Sequence, residues 1–260
     1  MIYAYQIYET ILDLARKDLR GRSFSVEEYN HTARVVNELV FAKYYAEFEE
    51  SSENSEVMSG FKVLNEAVAI GLGGIGTLPA RYYHMCGMPH YTDIDGVIRR
   101  LDLVSTLEHA KRETDYLTKA TLTHPTFMFG TASATGAMTI YVTPITGINP
   151  INIDYIRTPT VPFLDYYVND LTAEYTWLRE GATVAMPLNH TAPPITVNEV
   201  VVRLLTTGAA NVISYTKNWE WSDEDLPLIT QLFLQQLGIQ LPSPELYEGG
   251  TLQEQRTDAQ

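Results

Sequence analysis

Residues 123–162 constrain this chain more than any other stretch. Met138, Ile140 and Val142 alternate with Thr139, Tyr141 and Thr143, and Ile151, Ile153 and Tyr155 alternate with Asn152 and Asp154. A period of two places the apolar set of each segment on one face, which predicts two half-buried strands. Pro144, Gly147 and Pro150 lie between them, so the simplest pairing is a hairpin. A lone hairpin is marginal in water, so other elements must cover its apolar face, and helical patterns flank it on both sides.

The first helix is predicted over residues 3–20, where Ile7, Ile11, Leu14 and Leu19 recur at helical spacing before Gly21. A second begins at a capping box, Ser25 with Glu28, bracketed by Phe24 and Tyr29 at the positions of a hydrophobic staple. Its stripe runs through Tyr29, Ala33, Val36, Val40 and Tyr44 and is widened by Leu39, Phe41, Tyr45 and Phe48, ending at the acidic, serine-rich run 49–55. About 25 residues of helix span about 37 Å. So wide a stripe calls for burial on more than one side, by the chain's own fold or by a neighbouring copy.

Further on, residues 97–104 read as a strand and 107–117 as a polar helix. Thr196 and Glu199 offer another capping box, against the strand preference of Val200, Val201 and Val202, and the reading adopted is a short helix closed near Gly208. Residues 212–221 read as a strand that places Trp219 and Trp221 on one face, where the two rings need a partner surface. A last helix carries Leu228, Ile229, Leu232, Phe233 and Leu237, with Pro227 in its first turn, Asp225 as its cap and Gly238 at its end. The expected class is α+β, with N-terminal helices and a C-terminal helix packed around a mainly antiparallel sheet or small barrel. With no repeat and no obvious linker, residues 1–242 read as one continuous unit, and 243–260 as a polar, acidic arm that is either disordered or laid on another subunit.

Charge narrows the function. The net charge is -14, from 18 basic and 32 acidic residues. Residues 61–157 are balanced, with 8 of each sign, whereas 1–60 hold 6 basic and 11 acidic residues and 158–260 hold 4 and 13. Acidic ends repel phosphate backbones, which argues against tight, sequence-reading nucleic-acid binding and is compatible with a wall past which DNA slides. Cys86 is the single cysteine, so no internal disulfide forms, and neither a signal peptide nor an apolar run of membrane-spanning length is present; the expectation is synthesis in the cytoplasm.

Two constellations hint at chemistry. Gly71, Gly73 and Gly76 have dinucleotide-binding spacing, with Asp93 or Asp95 near the distance of a ribose-binding acid. That motif requires a following helix, whereas Pro79 and Tyr82-Tyr83 come next, so a turn is the better reading. His84, Cys86 and His90 could ligate zinc with Asp93 or Asp95, yet their spacing fits no zinc framework, and no orienting residue marks Cys86 as a nucleophile. No catalytic residue, cofactor or metal is therefore assigned. The residues expected at protein interfaces are Tyr44, Tyr45, Phe48, Trp219, Trp221, Leu246 and Tyr247.

The order of motifs carries a resemblance. Gly21-Arg22-Ser23-Phe24-Ser25-Val26-Glu27-Glu28-Tyr29 is followed by Leu78-Pro79-Ala80-Arg81-Tyr82-Tyr83-His84, then Ile140-Tyr141-Val142-Thr143-Pro144 and Asp154-Tyr155-Ile156-Arg157-Thr158-Pro159. Trp219-Glu220-Trp221 and Leu237-Gly238-Ile239 close the series. Together these resemble virion structural proteins of crAss-like and related podoviruses of Bacteroidota, the ring or adaptor proteins stacked below the portal. The resemblance implies a head–tail connector or tail-barrel subunit, made in the host cytoplasm and resident in the virion. It implies a closed ring of twelve copies that meets the portal and neighbouring ring or tail proteins, passes DNA without specific binding and touches no membrane. Another virion role (minor tail protein, hub component or binding module) is the alternative, and a soluble enzyme using the glycine loop or the His–Cys cluster the remote one.

Overall fold

The computed structural model describes residues 2–17, 24–50, 58–115, 117–130, 137–197 and 200–238. The class is α+β, and among the described residues the sheets form no closed barrel. The chain divides into two compact units, one formed by Met1–Lys43 with Thr160–Gln260 and the other by Tyr44–Pro159. With neither linker nor repeat at the junctions, the sequence reads as one unit and does not announce this division.

Two helices come first, α1 (Ala4–Lys17) and α2 (Val26–Glu50). The start of α2 is as the sequence dictates. The Glu28 amide donates to Ser25 Oγ at 3.1 Å, the Ser25 amide donates to Glu28 Oε2 at 3.3 Å, and the Phe24 and Tyr29 rings meet edge to face at 6.5 Å. Its stripe of Tyr29, Ala33, Val36 and Val40 is buried, while Leu39 stays exposed.

Among the described residues the continuous unit contains the strands β1 (Lys62–Val68), β2 (Ile75–Thr77), β3 (Tyr82–Met85), β4 (His90–Thr92), β5 (Ile98–Arg100), β6 (Asp102–Leu103), β7 (Thr126–Phe129), β8 (Thr139–Thr143) and β9 (Ile151–Arg157). One sheet runs β1-β9-β4-β5, with β3 also on β9; the other runs β2-β8-β7-β6. Only β6 with β7 is parallel among these pairs. The expected alternation holds at Ile140, Val142, Ile151, Ile153 and Tyr155, which are buried, but Met138 is exposed and Thr139 buried, and the hairpin is not formed. β8 pairs with β2 and β7, β9 pairs with β1, β3 and β4, and residues 144–150 carry the chain from one sheet to the other. The apolar faces of both strands then share one core: Ile140 and Val142 from β8, Ile151, Ile153 and Tyr155 from β9, with Phe127, Leu101 and Tyr91. Each such side chain contributes about 1.5–3 kcal/mol on burial. A shared core between two sheets is therefore favoured over an isolated hairpin.

The segment 97–104 is likewise split, with β5 in one sheet and β6 in the other, and the buried Leu101 between them. Helix α3 (Thr106–Thr114) follows, capped by Ser105 Oγ accepting from the Glu108 amide at 3.2 Å, and it buries none of its residues.

The remaining strands belong to the discontinuous unit: β10 (Tyr166–Asn169), β11 (Tyr175–Trp177), β12 (Thr183–Ala185), β13 (His190–Ala192), β14 (Ile195–Val197), β15 (Val200–Arg203), β16 (Thr206–Thr207) and β17 (Asn211–Ile213). They pair antiparallel as β11-β10-β13-β16, β12-β17 and β14-β15. In place of the helix expected from Thr196 and Glu199, β14 and β15 pair antiparallel, the β-branched run of valines having outweighed a capping signal, and Glu199 itself lies outside the described residues. After β17 the chain stays extended, bridged at Lys217 to Phe163 and at Trp219 to Ile2.

Helix α4 (Leu226–Gln236) has Pro227 in its first turn, and Gly238 beyond its end adopts φ +70°, the left-handed position for which glycine is suited. Asp225 does not cap it. Its carboxylate turns back to accept from the Ser222 amide at 3.0 Å and stabilises the 3-10 turn that precedes the helix.

Candidate functional site

The glycine-rich loop is a structural turn. Leu72–Gly74 forms a 3-10 turn between β1 and β2, and a strand follows it where a phosphate-binding loop has a helix. Gly74 has φ +74°, and a Cβ there would stand 2.4 Å from the Val142 carbonyl oxygen; glycine is needed for backbone packing. Among the described residues no group of three His, Cys, Asp or Glu side chains is placed to hold a metal ion. Burial pushes the Cys86 thiol up, Lys62 lowers it and the Asp154 charge raises it further, the reverse of what a nucleophile needs.

Trp219 and Trp221 are not surface anchors. Both lie inside the chain's own core, Trp219 at 0 % and Trp221 at 2 % exposure. The Trp219 indole donates to the Tyr29 hydroxyl at 3.0 Å, which donates to the Ala4 carbonyl at 2.9 Å, and Tyr29 stacks on Phe233 at 5.3 Å. Burial pushes the Tyr29 phenol up, despite the indole bond. The Trp221 indole donates to Asn37 Oδ1 at 2.8 Å, and Asn37 Nδ2 donates to the Thr160 carbonyl at 3.3 Å. The partner surface these rings require is α2 and α4 of the same chain. Leu246 and Tyr247 lie outside the described residues.

Tyr44, Tyr45 and Phe48 are half-buried at the end of α2. Tyr45 meets Tyr83 edge to face at 4.8 Å, lies 5.8 Å from His84 and 6.3 Å from Phe48. Beside β3 opens a groove of about 570 Å³ lined by Tyr83, Met85, Met88, Leu103, Phe129 and Met138. Tyr83 is 45 % and Met88 60 % exposed, so large apolar side chains stand in water here with few charges among them. Tyr82 also lines it, its phenol pushed up to about 12 by burial and the nearby Cys86, against a backbone hydrogen bond at Met85 that lowers it. Methionine and aromatic side chains in such a groove adapt to a protein partner, whereas the groove has few polar groups to orient a reacting small molecule.

A second groove, of about 690 Å³, lies in the discontinuous unit. Its lining includes Tyr3, stacked on Tyr5 at 5.6 Å, and Tyr175, stacked on Trp177 at 5.7 Å, two residues of β11 on one face of an edge strand. The Trp177 indole donates to Glu9 Oε1 at 3.3 Å, and Tyr175 is half in water. This site was missed in the sequence, although Tyr175 and Trp177 repeat the one-residue spacing of the tryptophan pair. Among the described residues no helix is long and apolar enough to cross a membrane. No protein-family model matches the chain, and no curated protein is significantly similar to it.

Proposed function

We propose that the chain is a structural subunit that assembles with copies of itself into a closed ring, serving as a head–tail connector or tail-barrel component through which DNA passes without specific binding. One observation supports this reading above the others: an exposed methionine and aromatic groove adjoins the aromatic end of α2, a surface chemistry suited to protein contact. A cyclic ring needs two different faces of one subunit to meet, and the grooves of the two units differ in composition. The order of sequence motifs supplies the virion context, and the acidic balance of residues 1–60 and 158–260 suits a passage for DNA.

The test is the mass of the purified full chain in solution and two-dimensional class averages of the particles, alone and with assembled portal. The expected result is a closed ring, twelve copies by the resemblance, formed alone or on the portal. A chain that stays monomeric in both conditions refutes the proposal. Deleting residues 242–260 should spare the fold and weaken assembly.

A further inference from the structure

We infer that the groove lined by the Tyr3–Tyr5 and Tyr175–Trp177 pairs receives residues 241–247 of a neighbouring copy, bound as an extended, left-handed polyproline-type segment. The inference rests on the ring reading and names the arm and the seat that join adjacent subunits.

The sequence Leu241-Pro242-Ser243-Pro244-Glu245-Leu246-Tyr247 begins three residues after Gly238, where α4 has ended. Proline fixes its own φ near the polyproline value and drives the residue before it into the extended region, so Leu241-Pro242 and Ser243-Pro244 set four successive residues toward that conformation. Such a helix has three residues per turn at about 3.1 Å each, so Leu241, Pro244 and Tyr247 fall on one ridge, about 9 Å apart. That ridge is wholly apolar. Glu245 and Glu248 extend a second ridge that begins at Pro242, which puts negative charge along one side only.

The groove matches this shape and chemistry. Proline-rich segments dock between aromatic rings because a rigid, pre-extended ligand loses little entropy and its flat pyrrolidine packs on π faces. Here two stacked aromatic pairs line the groove, and Arg179 in the lining supplies a positive charge for the acidic ridge. Glu9 is already engaged by the Trp177 indole, and Glu180 accepts from Lys217 Nζ at 3.2 Å and from the Asn218 amide at 3.1 Å, so the groove's carboxylates have donors of their own.

The experiment uses the full chain and a triple variant, Leu241→Ser with Pro244→Ala and Tyr247→Ser. Trp177 is the one tryptophan of the three outside the core, so iodide quenching of intrinsic fluorescence reads whether its groove is covered. Alongside it, sedimentation velocity reads the concentration at which the ring forms, and Tyr175→Ala, at a half-exposed wall residue, tests the seat. Expected are stronger quenching in the triple variant, a rise of about tenfold in the assembly midpoint for each variant, as loss of one apolar anchor gives, and no further rise when the two are combined. Unchanged quenching in the triple variant overturns the inference and leaves the ring reading standing. Stronger quenching with unchanged assembly places the segment on its own chain and overturns the neighbouring-copy assignment. A monomer with and without portal removes the ring reading itself.

Discussion

The two units are held together in different ways. In the continuous unit, aliphatic and aromatic side chains from facing sheets fill one core, drawn from the charge-balanced stretch 61–157. The discontinuous unit buries polar groups among its rings. Arg203 donates to both Asp165 carboxylate oxygens at 2.7 Å, the Tyr215 amide donates to the same carboxylate at 3.0 Å, and Arg203 Nε reaches the Pro193 carbonyl at 2.9 Å. The Trp219–Tyr29 and Trp221–Asn37 bonds lie nearby in kind, each tying the last extended segment to α2. A core satisfied by volume tolerates many fillings, whereas a core of directional bonds accepts few. The contrast teaches that specificity in this chain is concentrated where distant parts of the sequence must find each other.

Asp165→Ala gives the sharpest break. It leaves the buried Arg203 guanidinium without its anion, and the expected loss is about 3–5 kcal/mol. All three tryptophans, Trp177, Trp219 and Trp221, lie in the discontinuous unit, so urea unfolding followed by tryptophan fluorescence reads that unit alone. A loss below about 1 kcal/mol would erase the distinction between the cores.

The continuous unit has its own intolerant point. Gly74→Ala combines a positive φ with a collision against the Val142 carbonyl, for an expected cost of about 2–4 kcal/mol. Gly96→Ala, also at positive φ but in open space, should cost about 1 kcal/mol, both read by far-ultraviolet circular dichroism in urea. Swaps within each core probe the fillings. Ile153→Val should cost about 0.5–1.5 kcal/mol, while Trp219→Phe, which strips the Tyr29 hydroxyl of its donor as well as volume, should cost about 2–3 kcal/mol. Equal costs would mean that the hydrogen bond adds nothing.

The smallest effect depends on pH. Burial pushes the Glu27 carboxyl up, but the hydrogen bond donated by Tyr166, with others from the backbone and Ser25, holds it below the usual value of 4.5. A lowered folded value stabilises above pH 4.5 and is lost as pH falls through it. Tyr166→Phe should therefore weaken the fold at pH 7 by less than about 1 kcal/mol, since most of the carboxylate is in water, and the deficit should vanish in acid. A deficit independent of pH would assign the loss to packing.

What was legible in the sequence was local. The Ser25–Glu28 box, the Phe24–Tyr29 staple, the stripe of α2 and the glycine after α4 involve residues a few positions apart, and each stands where expected. Strand faces were legible too, but partners were not. β8 and β9 find theirs in β2 and β1, more than sixty residues upstream, and nothing in a period of two encodes that choice. The same limit governs the aromatic pairs. A one-residue spacing puts two rings on one face, yet Trp219 and Trp221 turn inward under two helices while Tyr175 and Trp177 look out from an edge strand. Only the tertiary neighbours decide, which is why the expected interface lost its tryptophans and the aromatic groove went unseen.

The discontinuity of one unit sets an order on its birth. Residues 44–159 form their unit from unbroken sequence, so it can close while the ribosome is still adding the rest. The opening helices cannot do the same, because the Trp219 and Phe233 that cover Tyr29 arrive about 190 residues later, roughly 10–40 seconds at ordinary elongation rates. Throughout that interval their sticky faces wait uncovered, and a nascent chain of this design calls for a chaperone, or a slow-aggregating start, before the unit can close.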